Sequence, residues 1–242
     1  MFYMVTYFQN PSGITTTLER KQQILDLLRR YEKHAGHLIP IVEDGAYREL
    51  GFNGEVVPSA LTLEGADERV IYTSTYSKPF ATGIRAGIGV LPKDLYPVIL
   101  RLKGNHDFGT ANLIQQILKE ALTSGVYAHH VDRVRGRYKR KSATMVKAIR
   151  ASFPDWVDWE VPDGGLYVWA SLKKKMATGL KSKFFQAALD KGVIYVPGQL
   201  CYADDPTRKK PNHQMRLSYG AASAKDIEEG IARLGELIRE KG

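Results

Sequence analysis

Cysteine is nearly absent: Cys201 stands alone among 242 residues, so the chain can form no internal disulfide. A lone thiol fits a reducing compartment. No apolar run approaches the roughly eighteen residues that a membrane-spanning helix requires. The first residues lack the basic and small-residue flanks of a signal peptide. These absences lead us to expect a cytoplasmic protein with no membrane partner. Helix-turn-helix, zinc-finger and RNP-like patterns are missing as well, internal repeats are absent, and no metal site is expected. Lys173 to Lys175 is the one biased tract, read as a turn.

What is present has the makeup of a globular chain, 43% hydrophobic and 10% aromatic, enough to pack a core in one large or two smaller domains. The formal charge of +9 raises the question of nucleic acid. Much of it lies at Arg133, Arg135, Arg137, Lys139, Arg140, Lys141, Lys147 and Arg150. Val131, Val134, Tyr138, Met145 and Ile149 recur at helical spacing through the same run, so its basic residues read as the solvated face of an amphipathic helix. We therefore expect no nucleic-acid partner. A basic surface also suits an enzyme handling anionic cofactor and substrates.

Along the chain, three short apolar runs end in polar residues: Phe2 to Phe8, Leu38 to Val42 and Arg69 to Thr73. Strands without clean alternation belong to a parallel sheet covered on both faces. In such sheets ligands bind beyond the carboxyl ends of the strands, which would bring Asn10, Asp44, Tyr47 and Lys78 to one crevice. Between the first two runs, Thr16 and Glu19 form a capping box for a helix with Ile24, Leu25, Leu28 and Tyr31 on its buried stripe, stopped by Gly36. Ile88 to Leu91 reads as a further strand. A helix from Thr110 carries Ile114, Ile117, Leu118, Ala121 and Leu122 and ends at Gly125, and the basic helix runs on to about Ser152. The composition then shifts, with Trp156, Trp159 and Trp169 around Pro162-Asp163-Gly164-Gly165. Strands at Leu166 to Ala170, Val193 to Val196 and Met215 to Tyr219 alternate with helices at Lys181 to Lys191 and at the C-terminus. In the last helix Ile227, Ile231, Leu234 and Ile238 keep helical spacing. We divide the chain into a larger α/β domain with its connecting helix, residues 1–149, and a smaller α+β domain, residues 150–242.

The stretch Tyr72 to Gly87 sets Lys78 among the hydroxyls of Ser74, Thr75 and Ser77, with Arg85 seven residues beyond the lysine. A lysine held in a partly desolvated turn near other cations gives up its proton readily and attacks carbonyls. Arginine grips phosphate through a bidentate fork. Lysine chemistry beside phosphate recognition suggests pyridoxal phosphate. Taken alone, the pattern reads better as a surface lysine in a Ser/Thr-rich loop, and the rest of the chain shifts the balance.

Four motifs in this order narrow the choice: QNPSG at Gln9 to Gly13, EDGAY at Glu43 to Tyr47, TYSKPFATGIRAG at Thr75 to Gly87, and MRLSYG at Met215 to Gly220. Together they resemble the class I/II aminotransferases, fold type I pyridoxal-phosphate enzymes. The nearest branch holds 2-aminoadipate aminotransferases and the aminotransferase-like domains of certain bacterial regulators. The resemblance implies an α/β PLP-dependent transferase-like fold with a mostly parallel large-domain sheet, incomplete here, and a smaller C-terminal domain. It implies that Lys78 forms a Schiff base with pyridoxal 5'-phosphate and then moves the proton at the substrate Cα. Asp44 would pair with the pyridine nitrogen, although an acidic residue at a strand end also reads as a helix cap. Asn10 and Tyr47 would meet the ring hydroxyl, Asn10 touching substrate too. Thr75, Ser77 and Arg85 would hold the phosphate, and Arg216 would clamp the substrate α-carboxylate. His130 reads as a packing residue rather than a catalyst. The implied partners are an amino acid, a 2-oxo acid and a second copy of the chain in a homodimer.

The resemblance covers nearly all of this sequence but about the C-terminal 60% of an ordinary family member. The first strands, a helix-end phosphate loop and an aromatic ring stacked on the pyridine are not found here. The expectation is an aminotransferase shortened at its N-terminus. The alternatives are a non-catalytic ligand-sensing domain of a transcriptional regulator and an inactive fragment.

Overall fold

The computed structural model describes residues 1–54, 56–173 and 176–242. They divide into two compact units, Met1–Gln9 with Ile14–Arg135, and Asn10–Gly13 with Gly136–Gly242.

In the first unit the three unalternating runs become β1 (Phe2–Val5), β2 (Ile41–Asp44) and β3 (Val70–Thr75), joined by β4 (Gly87–Val90) in the sheet order β1-β2-β3-β4. β1 with β2 and β2 with β3 are parallel, and β4 is antiparallel to β3. The parallel step from β1 to β2 requires a crossover, supplied by α1 (Leu18–Ala35). Its cap is Thr17, whose Oγ1 accepts from Arg20 N at 3.2 Å, not Thr16 as expected. Thr16 N–H is already committed to Thr6 O at 2.9 Å, which ties it to the incoming loop. Gly36 stops the helix as expected, left-handed at φ 71° with its N–H donating to Glu32 O. The buried stripe runs Lys21, Leu25, Leu28, with Ile24 partly buried against Met4, Ile41, Ala60, Ala66 and Val70. Tyr31 is not on it, being 63% exposed. The stripe starts one turn early because Glu43 provides a partner for the Lys21 ammonium.

α2 (Tyr96–Asp107) was not expected. Its apolar residues Tyr96, Val98, Ile99, Leu100 and Leu102 crowd its first half, which hides a helical period, and all but Ile99 are exposed. Pro97 opens it, where a missing N–H costs nothing. In α3 (Asn112–Thr123), Leu118 and Ala121 are buried whereas Ile117 and Leu122 are exposed. Ala121 packs with Tyr127 and Val131 of α4 (Val126–Ser152).

α4 carries the basic run. Val131, Met145 and Ile149 are buried, and Arg133, Arg137, Lys139, Arg140, Lys147 and Arg150 are exposed, as the periodicity implies. The compact units divide within this helix, between Arg135 and Gly136. The composition shift near residue 150 marks the end of α4 instead.

The second unit holds β5 (Val157–Trp159), β6 (Tyr167–Leu172), β7 (Val196–Pro197) and β8 (Gln214–Ser218), ordered β5-β6-β8-β7 with every pairing antiparallel. The strand expected at Val193 to Val196 shrinks to β7. Val193 N–H is drawn back to Ala188 O at the end of α5 (Lys183–Asp190), so it joins no ladder. α6 (Ala224–Lys241) starts on a Ser223/Asp226 capping box and buries Ile227, Ile231, Leu234 and Ile238. Of the lysine tract, Lys174 and Lys175 lie outside the described residues.

Candidate active site

β2 and β3 run parallel in register, so their carboxyl ends share one edge of the first unit's sheet. Asp44 closes β2. Its Oδ1 accepts from Ala46 N at 2.9 Å, an Asx turn rather than a helix cap, and its Oδ2 accepts from the Tyr3 hydroxyl at 2.6 Å. Partial burial, followed by the adjacent carboxylate, pushes the Tyr3 phenol up to about 12. A Cβ at Gly45 would stand 2.5 Å from the Tyr72 hydroxyl, so the turn after Asp44 has no room for a side chain. Tyr47 follows, buried.

β3 delivers the lysine loop. Ser77 N donates to Thr75 Oγ1 at 3.1 Å. Arg85 Nη1 donates to the buried Ser77's Oγ and to Thr82 O, both at 3.2 Å. Arg85 itself is left-handed, φ 48° and ψ 35°, a conformation unusual for a residue with a Cβ and characteristic of sites held by their surroundings. Thr75, Ser77 and Arg85 thus form one donor cluster. Lys78 Nζ lies 5.8 Å from the Tyr47 ring centroid, within cation–π range. Its side chain is exposed, so the described residues do not supply the desolvation expected from sequence.

Asn10 belongs to the second unit together with Arg216. Arg216 Nη1 donates to Asn10 Oδ1 at 2.6 Å, and the guanidinium lies 4.4 Å over the Tyr167 ring. Arg216 Nε is buried without a partner among the described residues. A buried guanidinium N–H left unpaired is a costly arrangement that an incoming acceptor would relieve.

Sequence reasoning missed two features. One is Tyr3, whose hydroxyl reaches Asp44 from the neighbouring strand. The other is a buried network beneath the site. Lys21 Nζ lies 2.9 Å from Glu43 Oε1 with both side chains fully buried, and it also donates to Pro58 O and Tyr7 OH. Glu43 accepts from Thr6 Oγ1, Ser59 Oγ and Ala60 N. A lysine amid an apolar stripe, matched to a glutamate inside a strand, was the available signal. His130 stacks edge-on against Phe80, a packing role as read from sequence. A cavity of about 410 Å³ lined by Arg48, Tyr72, Ser74, Tyr127 and Arg135 also lies in the first unit, but neither Asp44 nor Lys78 lines it.

The sequence model described as aminotransferase class I and II matches residues 2–234. An uncharacterized aminotransferase of Saccharolobus solfataricus is 35% identical over 100% of this chain and 57% of its own length. An uncharacterized HTH-type transcriptional regulator of Bacillus subtilis is 30% identical over 99% of this chain and 46% of its own. Among solved structures, the alpha-aminoadipate aminotransferase LysN of Thermus thermophilus, complexed with N-(5'-phosphopyridoxyl)-L-leucine, superposes with a TM-score of 0.83 at 31% identity. That match covers 98% of this chain and 58% of LysN. The chain thus spans about half the length of the relatives it matches. Pyridoxal phosphate is the cofactor that the family and this neighbour indicate. The first unit's groups suit it chemically: an amine, a carboxylate with acceptor capacity to spare, and a hydroxyl and guanidinium cluster fit for a phosphate. With its α/β units, its four motifs and its fold type I neighbour, the chain belongs to the class I and II aminotransferase family.

Proposed function

We propose that this chain carries the catalytic residues of a pyridoxal-phosphate-dependent aminotransferase, moving an amino group between an amino acid and a 2-oxo acid. The observation that carries the reading is the gathering, at one sheet edge, of Lys78, Asp44 and the Thr75–Ser77–Arg85 donor cluster. When bound, pyridoxal phosphate supplies an aldehyde for amine condensation and a ring that withdraws electrons. Lys78 is the amine that would hold that aldehyde, and its Nζ would carry the proton at the substrate Cα. Asp44 would pair with the ring nitrogen. Tyr47 and Asn10 would donate to the ring hydroxyl. Thr75, Ser77 and Arg85 would hold the phosphate. Arg216 takes the substrate α-carboxylate through its planar fork, with Asn10 as its neighbour. A cytoplasmic homodimer that binds no nucleic acid through this chain completes the reading.

The test is a half-reaction. The purified chain, loaded with pyridoxal phosphate, is mixed with amino acids, and 2-oxo acid is quantified by mass spectrometry. Release equimolar with cofactor, abolished in Lys78→Ala, is expected, and equal release by the variant would refute the assignment. The regulator relative favours a second reading, a ligand-sensing domain. It is distinguished by cofactor on Lys78 with no 2-oxo acid released.

A further inference from the structure

We propose that Tyr3 is a positioning residue for Asp44, holding its carboxylate in the orientation that meets a protonated ring nitrogen. This rests on the cofactor reading of Asp44. Tyr3 lies on β1 opposite Val42, and Val5 lies opposite Asp44, so Tyr3 and Asp44 are diagonal neighbours across a parallel pair. From that position the phenol spans the two-residue offset and donates to Oδ2 at 2.6 Å, the separation of a charge-assisted hydrogen bond. Oδ1 is held independently by Ala46 N at 2.9 Å. One donor would leave the carboxylate free to swivel about Cβ–Cγ. Two donors, one on each oxygen, fix its plane.

An ionised carboxylate offers about four acceptor sites, so two remain for a ring N–H. Tyr3 keeps its proton across the working range, its phenol standing near 12 through partial burial and the carboxylate beside it. The residue has little other structural task. It is 57% exposed and is absent from the core cluster that β1 enters through Met4.

The test compares the full chain with Tyr3→Phe, each loaded with pyridoxal phosphate carrying an isotope-labelled ring nitrogen. Urea unfolding is run alongside. The expected result is an unchanged urea midpoint, about tenfold weaker cofactor retention on Lys78, and a ring-nitrogen chemical shift displaced toward neutral pyridine. The shift is a signature that a merely structural role would not move. Equal retention and an equal shift in the two proteins would overturn the role of Tyr3 while leaving the cofactor reading intact. A lowered urea midpoint with an unmoved shift would assign the hydroxyl to folding and overturn it too. Wild-type chain that fails to load at Lys78 would overturn the cofactor reading, and the proposal with it. The bond itself is read without cofactor. In Asp44→Asn the Tyr3 phenol, followed by carbon NMR of labelled tyrosine, should ionise at lower pH than in wild type, and an unchanged titration would contradict the bond.

Discussion

Lys21→Met removes one end of the buried ion pair beneath Asp44 while keeping the length of the side chain. Both partners are fully buried at 2.9 Å, and breaking such a pair typically costs about 3–5 kcal/mol because the surviving charge is stranded. Glu43 would keep its donors Thr6 Oγ1, Ser59 Oγ and Ala60 N, which places Lys21→Met near the lower end, about 3 kcal/mol. Glu43→Gln leaves a buried ammonium with neutral acceptors only, among them Pro58 O at 2.7 Å and Tyr7 OH at 3.2 Å, so it should cost more, about 4–5 kcal/mol. The double variant strands neither charge. Its loss should fall short of the sum by about 2–3 kcal/mol. The readout must report on the first unit, and the protein's 3 tryptophans all lie in the second, so their fluorescence is the wrong probe. Amide hydrogen exchange along β1, β2 and β3 reads the correct unit. A loss of about 3 kcal/mol should accelerate its slowest amides by more than about a hundredfold. Single variants costing under about 1 kcal/mol, or strict additivity in the double, would refute the reasoning.

The Glu32–Arg69 pair, 2.6 Å apart and largely buried, should give a pH dependence. Burial acts to raise the Glu32 carboxyl, but the Ile39 N–H and the Arg69 guanidinium outweigh it and hold the group below its ordinary 4.5. A depressed carboxyl contributes stability present above 4.5 and lost as pH falls through the folded value. Wild type should therefore lose stability on acidification more steeply than Glu32→Gln, and equal slopes in urea titrations would contradict the pair's contribution. Gly45→Ala would press a Cβ to 2.5 Å from the Tyr72 hydroxyl and 2.8 Å from its ring. Overpacking of that kind costs about 1–3 kcal/mol. Tyr72→Phe should recover part of the loss in thermal melts, and a Gly45→Ala variant as stable as wild type would show that the turn yields freely.

Sequence alone revealed most where pattern and chemistry coincide. The parallel strands were legible because runs such as Leu38 to Val42 lack alternation, and α6 because Ile227, Ile231, Leu234 and Ile238 recur at helical spacing. The motifs led to Lys78, Asp44, Arg85 and Arg216 as residues, yet not to their surroundings. Lys78 stands exposed, since desolvation depends on what packs over a loop and not on the loop's own letters. α2 escaped notice because its apolar residues crowd its first half without a helical period and stay mostly on the surface. β7 and the α1 cap were misplaced by a residue or more, because Val193 N–H is drawn back to Ala188 O and Thr16 N–H is claimed by Thr6 O. Tyr3 could not be found from spacing, because its partner lies 41 residues away and the strand register alone joins them.

The account turns on Lys78. The purified chain should be incubated with pyridoxal phosphate, reduced with borohydride, digested, and its modified peptides mapped by mass spectrometry. Labelling concentrated on Lys78, and lost from that peptide in Lys78→Ala, is the expected result. Label scattered over the exposed lysines of α4, with none preferring Lys78, would contradict the account.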